Sequence, residues 1–139
     1  ERKKSCRSHI LIMYLVDTNI LIWIIRGKQE YVEWFEKLKS NVILSISTLT
    51  IAELYKNVFP QEFLRTEKII TEFQSHDVTP SIAKQGGLYW QQYNKKFKSL
   101  SILDCLIAAT TKEQKLTLVT LNTRHFPMSD IKVLDPLKK

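Results

Sequence analysis

The stretch Tyr14-Leu15-Val16-Asp17-Thr18-Asn19-Ile20-Leu21 decides the fold. It closes an apolar run over residues 10–16, rich in β-branched and large side chains, and a short run of that kind predicts a strand buried on both faces. The run stops at an acid, and a helix is expected from Thr18. Asp, Thr and Asn all accept hydrogen bonds from the first free N–H groups of a helix, so capping by itself accounts for Asp17, Thr18 and Asn19.

Outward from this point the pattern alternates. Gly27 ends the first helix, and Tyr31, Trp34, Phe35 and Leu38 mark a second. A strand is expected over residues 42–47. Thr48 is placed as the cap of a helix carrying Ile51, Ala52, Leu54, Tyr55 and Val58, and Pro60 closes it or opens the next, with Phe63, Ile70 and Phe73 on one side. Residues 76–79 form a candidate strand, and Ile82, Tyr89, Trp90 and Tyr93 mark a helix interrupted at Gly86 and Gly87. After a basic connection holding Lys95, Lys96 and Lys98, Leu103, Leu106, Ile107 and Thr110 predict a helix to about residue 114, and strands follow at 116–120 and 131–134. Alternating strands and helices require crossovers, hence a mainly parallel sheet covered on both faces. The three tryptophans, at helical spacing, are read as core or interface residues.

A length of 139 residues with 44% hydrophobic and 25% charged residues suits one globular domain with a sizeable core. That domain is placed at residues 13–139, and residues 1–12 are read as an upstream extension or a cloning remnant, with Met13 the candidate start. The net charge of +7, of which residues 1–7 supply +3, favours a polyanionic partner without choosing between nucleic acid and an anionic membrane. The apolar stretch 9–16 is too short to span a bilayer and no signal-peptide cleavage site follows it, so no membrane association is expected. Cys6 and Cys105 make neither a disulfide pattern nor a zinc cluster, which fits a reducing cytoplasm. His9 and His76 show no partner spacing.

In open α/β sheets ligands bind beyond the carboxyl ends of the strands. Asp17, residues 45–48 and residues 120–122 fall at such ends. Each acid has an ordinary explanation: Glu53 sits early in a helix where the macrodipole stabilises it, and Ser101-Ile102-Leu103-Asp104 has capping-box spacing. Their order is what stands out. The run around Asp17, then Ser45-Ile46-Ser47-Thr48 to Ala52-Glu53-Leu54, then Leu103-Asp104-Cys105-Leu106-Ile107-Ala108-Ala109-Thr110, then Leu118-Val119-Thr120-Leu121-Asn122-Thr123-Arg124-His125-Phe126, closely resembles the PIN-domain ribonucleases, and most of all the VapC-type toxins of toxin–antitoxin pairs.

That resemblance, spanning nearly all of residues 13–136, implies a three-layer α/β/α sandwich whose edge acids bind Mg²⁺ or Mn²⁺ and hydrolyse RNA. It implies that Asp17, Glu53 and Asp104 are the metal-site acids, that Thr120 and Asn122 belong to the polar loop completing the catalytic set, and that a homodimer and a VapB-like antitoxin are the partners. Many members carry a fourth acid where this chain has Asn122 or His125, so the charge count toward a second metal falls here from four to three. Thr18, Asn19, Thr120, Arg124 and His125, with Lys95, Lys96 and Lys98 at the rim, are the candidates for substrate contact.

The acids have a physical logic of their own. Mg²⁺ prefers oxygen ligands, keeps several waters, and is held by one or two carboxylates plus substrate phosphate. Converging carboxylates without a cation repel, and one of them takes up a proton. Asp17 and Asp104 are assigned as direct ligands and Glu53 as a ligand or as the group orienting the attacking water. Two other classes compete: a non-catalytic RNA-binding or scaffold module, suggested by the missing fourth acid, and an aspartyl-nucleophile phosphotransferase of the haloacid-dehalogenase kind, disfavoured because Asn19 stands where its second Asp belongs.

Overall fold

The structure is a computed structural model and describes residues 12–138. The elements are β1 (Met13–Val16), α1 (Thr18–Ile25), α2 (Gln29–Leu38), β2 (Ile43–Ser47), α3 (Thr48–Lys56), a 3₁₀ turn (Pro60–Glu62), α4 (Phe63–Ile70), β3 (Gln74–His76), α5 (Pro80–Tyr93), α6 (Ile102–Glu113), β4 (Thr117–Val119), a 3₁₀ turn (Thr123–His125) and β5 (Lys132–Leu134). Apart from Ile12, the expected upstream segment with Cys6 and His9, and the first two positions of the expected strand, lie outside the described residues.

All strand pairs are parallel, in the order β3-β2-β1-β4-β5. The pleat sends alternate residues to opposite faces. Val16, Leu44, Ile46 and Val119 pack with α1 to α4 around Ile20, Leu21, Ile24, Phe35, Leu54 and Ile69. Leu15 and Leu118 pack on the other face with Ile82 and Tyr89 of α5 and with Cys105, Ala108 and Ala109 of α6. The result is the expected three-layer α/β/α sandwich. From β1 the chain builds outward through β2 to β3, then crosses back to place β4 on the other side of β1. The strand order therefore reverses between β1 and β4, and the crevice beyond their carboxyl ends is where such sheets bind ligands.

Local chemistry explains where the elements begin and end. Asp17 is the N-cap of α1, its Oδ1 accepting from Thr18 N at 2.9 Å, and Gly27, at φ +77°, turns the chain out of that helix. Four expectations are corrected. Ser47, not Thr48, caps α3, its Oγ accepting from Leu49 N at 3.1 Å. β3 lies at Gln74–His76, two residues ahead of the expected 76–79, because Thr79 accepts from Ile82 N and begins α5 with Pro80 at its first position. α5 runs unbroken through Gly86 and Gly87, and the first glycine is where Leu106 of α6 fits: a Cβ there would lie 2.6 Å from Leu106 Cδ2. α4 buries Thr66 and Ile69 while Phe63 stays 46% exposed, so Phe63, Ile70 and Phe73 do not form one buried stripe. Of the tryptophans, Trp34 packs against the core and stacks on Tyr14, whereas Trp23 and Trp90 are exposed.

Candidate metal and nucleic-acid site

At the carboxyl edge of β1 and β4 lies a cavity of about 270 Å³ lined by Asp17, Thr18, Asn19, Glu53, Asp104 and Asn122, with Ile22, Asn57, Leu103 and Ile107 completing its walls. Each acid arrives from a different element. Asp17 follows β1, and its N–H donates to Val119 O at 2.9 Å, which ties it to the end of the neighbouring strand. Glu53 comes from the second turn of α3, Asp104 from the first turn of α6, and Asn122 from the loop after β4. The lining holds three carboxylates and neither lysine nor arginine.

The polar groups around the acids hold them in place. Thr120 is fully buried, and its hydroxyl donates to Asp17 Oδ2 at 2.8 Å while accepting from Asn122 N at 3.0 Å. Thr18 donates its hydroxyl to Glu53 Oε1 at 2.5 Å. Asn19 Oδ1 accepts from Leu121 N at 3.4 Å, fastening the loop after β4 to the start of α1. Asp104 forms the anticipated capping box with Ser101, Asp104 N donating to Ser101 Oγ at 3.0 Å and Ser101 N donating to Asp104 Oδ2 at 3.4 Å. Capping and facing the cavity are therefore not alternatives for Asp104; it does both.

Burial raises the pKa of Asp17. Hydrogen bonds from Thr120 and from Thr18 N oppose this, the charges of Glu53 and Asp104 add to it, and the carboxyl ends above its ordinary value. Asp17 thus feels the charge of both other acids across the cavity. Among the described residues no three acidic, imidazole or thiol groups stand close enough to hold an ion as they are placed here. The donor set nevertheless fits Mg²⁺ or Mn²⁺, since it consists of carboxylate and amide oxygens and such ions keep most of their waters.

Placed against expectation, Asp17, Glu53, Asp104, Asn122, Thr18 and Asn19 meet in one cavity, while Thr120 lies buried behind Asp17 instead of facing a substrate. Lys95, Lys96 and Lys98 are exposed in the connection leading to α6, and Arg124 and His125 lie in the 3₁₀ turn after β4; none of these five lines the cavity. Sequence reasoning missed Asn57, Ile22 and Ile107. Helical spacing could have found them: Asn57 is four residues from Glu53, Ile22 four from Thr18 and Ile107 three from Asp104, each on the face of its neighbour.

A five-stranded parallel α/β/α sheet with acids from three crossovers meeting at its switch point defines a class of edge-acid α/β proteins. The PIN domain family profile matches residues 14–131, and the chain belongs to that family. Ribonuclease VapC10 of Mycobacterium tuberculosis is 33% identical over 116 residues, covering 84% of this chain and 87% of the relative. The chain is also similar to a toxin–antitoxin complex from Klebsiella pneumoniae, with 27% identity, a TM-score of 0.71 and coverage of 91% of this chain and 99% of that one. VapBC2 from Rickettsia felis, bound to a DNA fragment from its promoter, shares the fold at a TM-score of 0.77 with 22% identity, over 88% of this chain and 98% of that one.

Proposed function

We propose that this chain is a divalent-cation-dependent endoribonuclease and acts as the toxin of a toxin–antitoxin pair in the cytoplasm. One observation carries the reading: three carboxylates separated by dozens of positions meet in a cavity whose lining has no cation, at the switch point of a parallel sheet. Such a hollow repels a phosphodiester unless a cation stands between them. Relatives named ribonuclease VapC supply the substrate class.

Asp17 and Asp104 would hold Mg²⁺ or Mn²⁺, with Glu53 beside them and Asn122 offering its amide oxygen. The ion, when bound, supplies charge neutralisation at the phosphate and a more acidic water. The protein's part is positioning: Thr120 fixes the Asp17 rotamer, Thr18 fixes Glu53, and the capping box fixes Asp104. No nucleophile of the chain is required, so hydrolysis proceeds without a covalent enzyme intermediate.

Asp17→Asn and Asp104→Asn should each lower cleavage of single-stranded RNA by at least about 100-fold, the scale of losing one charged group at a site of developing negative charge. Mn²⁺ titration calorimetry should show weakened binding in both, with circular dichroism unchanged. Full activity in either variant would end the assignment, and end-mapping of the products names the scissile step.

An antitoxin is the partner in this reading, and the groove of about 230 Å³ between α1, α2 and α4 supports it. Ile24, Val32, Phe35 and Ile69 line its floor, and Glu36, Lys39, Arg65, Lys68 and Glu72 its rim, which suits an amphipathic helix. Co-expression with the product of the neighbouring gene, followed by pull-down, tests it. Homodimerisation belongs to the same reading and is measured by light scattering. Among the described residues no helix is long and apolar enough to cross a membrane.

The non-catalytic alternative draws on one observation, that the acids are each engaged by protein donors and form no ready-made ion cage among the described residues. It predicts RNA binding that neither needs Mn²⁺ nor leads to cleavage.

A further inference from the structure

The acid cavity does not end at its own walls. Ile22 and Asn57, which line it, also line a neighbouring cavity of about 480 Å³ formed by Arg26, Lys56, Val58 and Phe59. Asn57 is the C-cap of α3 and stands at the junction of the two. The chemistry changes sign across it: three carboxylates on one side, an arginine and a lysine on the other.

The second cavity also offers a ring. Phe59 is 51% exposed, so ring surface is open to a ligand at the cavity. The Arg26 guanidinium lies over the ring, 5.0 Å from its centroid, and its Nε–H donates to Glu62 Oε2 at 3.0 Å, which holds the guanidinium on one face and leaves the other face for a base. Glu62 in turn accepts from Phe59 N at 3.2 Å, so ring and cation are braced by one carboxylate. An exposed aromatic face beside cations is what single-stranded nucleic acid uses: the base stacks, and the phosphate meets the charge.

We propose that this second cavity is a subsite for a nucleotide flanking the scissile phosphodiester, its base on Phe59 and its phosphate at Lys56 and Arg26. This rests on the ribonuclease reading above and adds to it the direction in which the strand leaves the acids. Charge favours RNA over a protein segment here. A chain that blocks three carboxylates does so with its own cations, and those would meet Arg26 and Lys56 next. The candidate lysines at 95, 96 and 98 line neither cavity, whereas Lys56 and Arg26 line the one that meets the acid cavity at Ile22 and Asn57.

The test uses the full chain with a single-stranded RNA that wild type cleaves in Mn²⁺, comparing Phe59→Ala, Phe59→Trp, Lys56→Ala and, on the far face of α5, Lys84→Ala. Phe59→Ala should raise KM about tenfold, the loss expected for one stacked base, with kcat within about twofold, and Phe59→Trp should restore KM. In the Asp104→Asn background, Lys56→Ala should lower the slope of log affinity against log salt by about one. Lys84→Ala should change neither. An RNA shortened on the flanking side should lose its sensitivity to Phe59→Ala. Unchanged KM and salt slope in an otherwise active enzyme would overturn the subsite while leaving the ribonuclease reading intact. A KM rise that tracks dissociation of a dimer, or a variant that loses only antitoxin affinity, would instead assign this face to a protein contact and overturn it. If wild type cleaves no RNA and Asp104→Asn behaves identically, both readings fall together.

Discussion

Thr120 shows how much one hydroxyl decides. It donates to Asp17, accepts from Asn122 N, and is itself fully sealed from solvent. Replacing it with valine keeps the shape and removes both bonds. The Asp17 carboxyl then loses its main stabilising partner, so its pKa should rise further above the ordinary carboxylate value of 3.8. Thr120→Val should therefore weaken Mn²⁺ binding by about 10- to 100-fold, the usual cost of removing a group that orients a metal ligand, as read by calorimetry. Unaltered affinity would show that Asp17 does not need this brace. Residue types were legible at this scale, since an acid after an apolar strand and a capping box are local patterns. The roles of Thr18, Asn19 and Thr120 were not, because each side chain acts on a residue far along the chain or on a loop whose path the sequence does not state.

The helix pair α5–α6 makes the same point at the scale of elements. Gly86 and Gly87 look alike in the sequence, and both suggested a break. In the fold Gly86 admits Leu106, whereas a Cβ at Gly87 would meet nothing within 4 Å. Gly87→Ala should stabilise the protein by about 1 kcal/mol through helix propensity, visible as a higher urea midpoint. Gly86→Ala should lose that gain or reverse it, since its Cβ would lie 3.3 Å from Leu106 Cγ as well as crowding Cδ2. Equal effects at the two sites would refute the close packing. In α3, Thr50 is fully buried and its hydroxyl has no partner among the described residues. Thr50→Val should raise stability by about 1 kcal/mol, because an unsatisfied buried hydroxyl costs more than the methyl that replaces it. Helices with strong caps were legible to within a residue or two. β3 was not, because three polar residues, Gln74 to His76, form a strand only through pairing with Ser45 to Ser47.

At the scale of the whole molecule, the end of the sheet opposite the acids is braced by Asp130. Its Oδ1 accepts from Tyr89 OH of α5 at 2.8 Å, and its Oδ2 pairs with Lys112 Nζ of α6 at 2.9 Å, so one side chain ahead of β5 ties the two helices of the second layer together. Partial burial pushes its pKa up, but the bonds from Lys112 and Tyr89 outweigh that and leave it below the ordinary value of 3.8. A depressed carboxylate stabilises the fold at neutral pH, and that contribution disappears as pH falls through the folded-state value. Asp130→Asn should thus be less stable than wild type at pH 7, by under about 1 kcal/mol because Lys112 and Asp130 are 45% and 43% exposed, and the gap should close as the pH drops below about 3.8. A constant gap across an acid titration of urea unfolding would refute the linkage.

Apolar runs, capping residues and helical spacing are interactions among near neighbours, so the sequence by itself determined the alternation of strands and helices, the α/β class and the identity of the acids. Where those acids meet depended on strand order. Placing β4 beside β1 brings Thr120 to Asp17 across 103 positions, and no local preference encodes that pairing. The tertiary structure alone decided which polar groups face the cavity, which lie behind it, and that Lys56, Arg26 and Phe59 line the adjoining cavity while the lysine-rich connection lines neither, because contacts of that range are settled by the packing of two helical layers on one sheet.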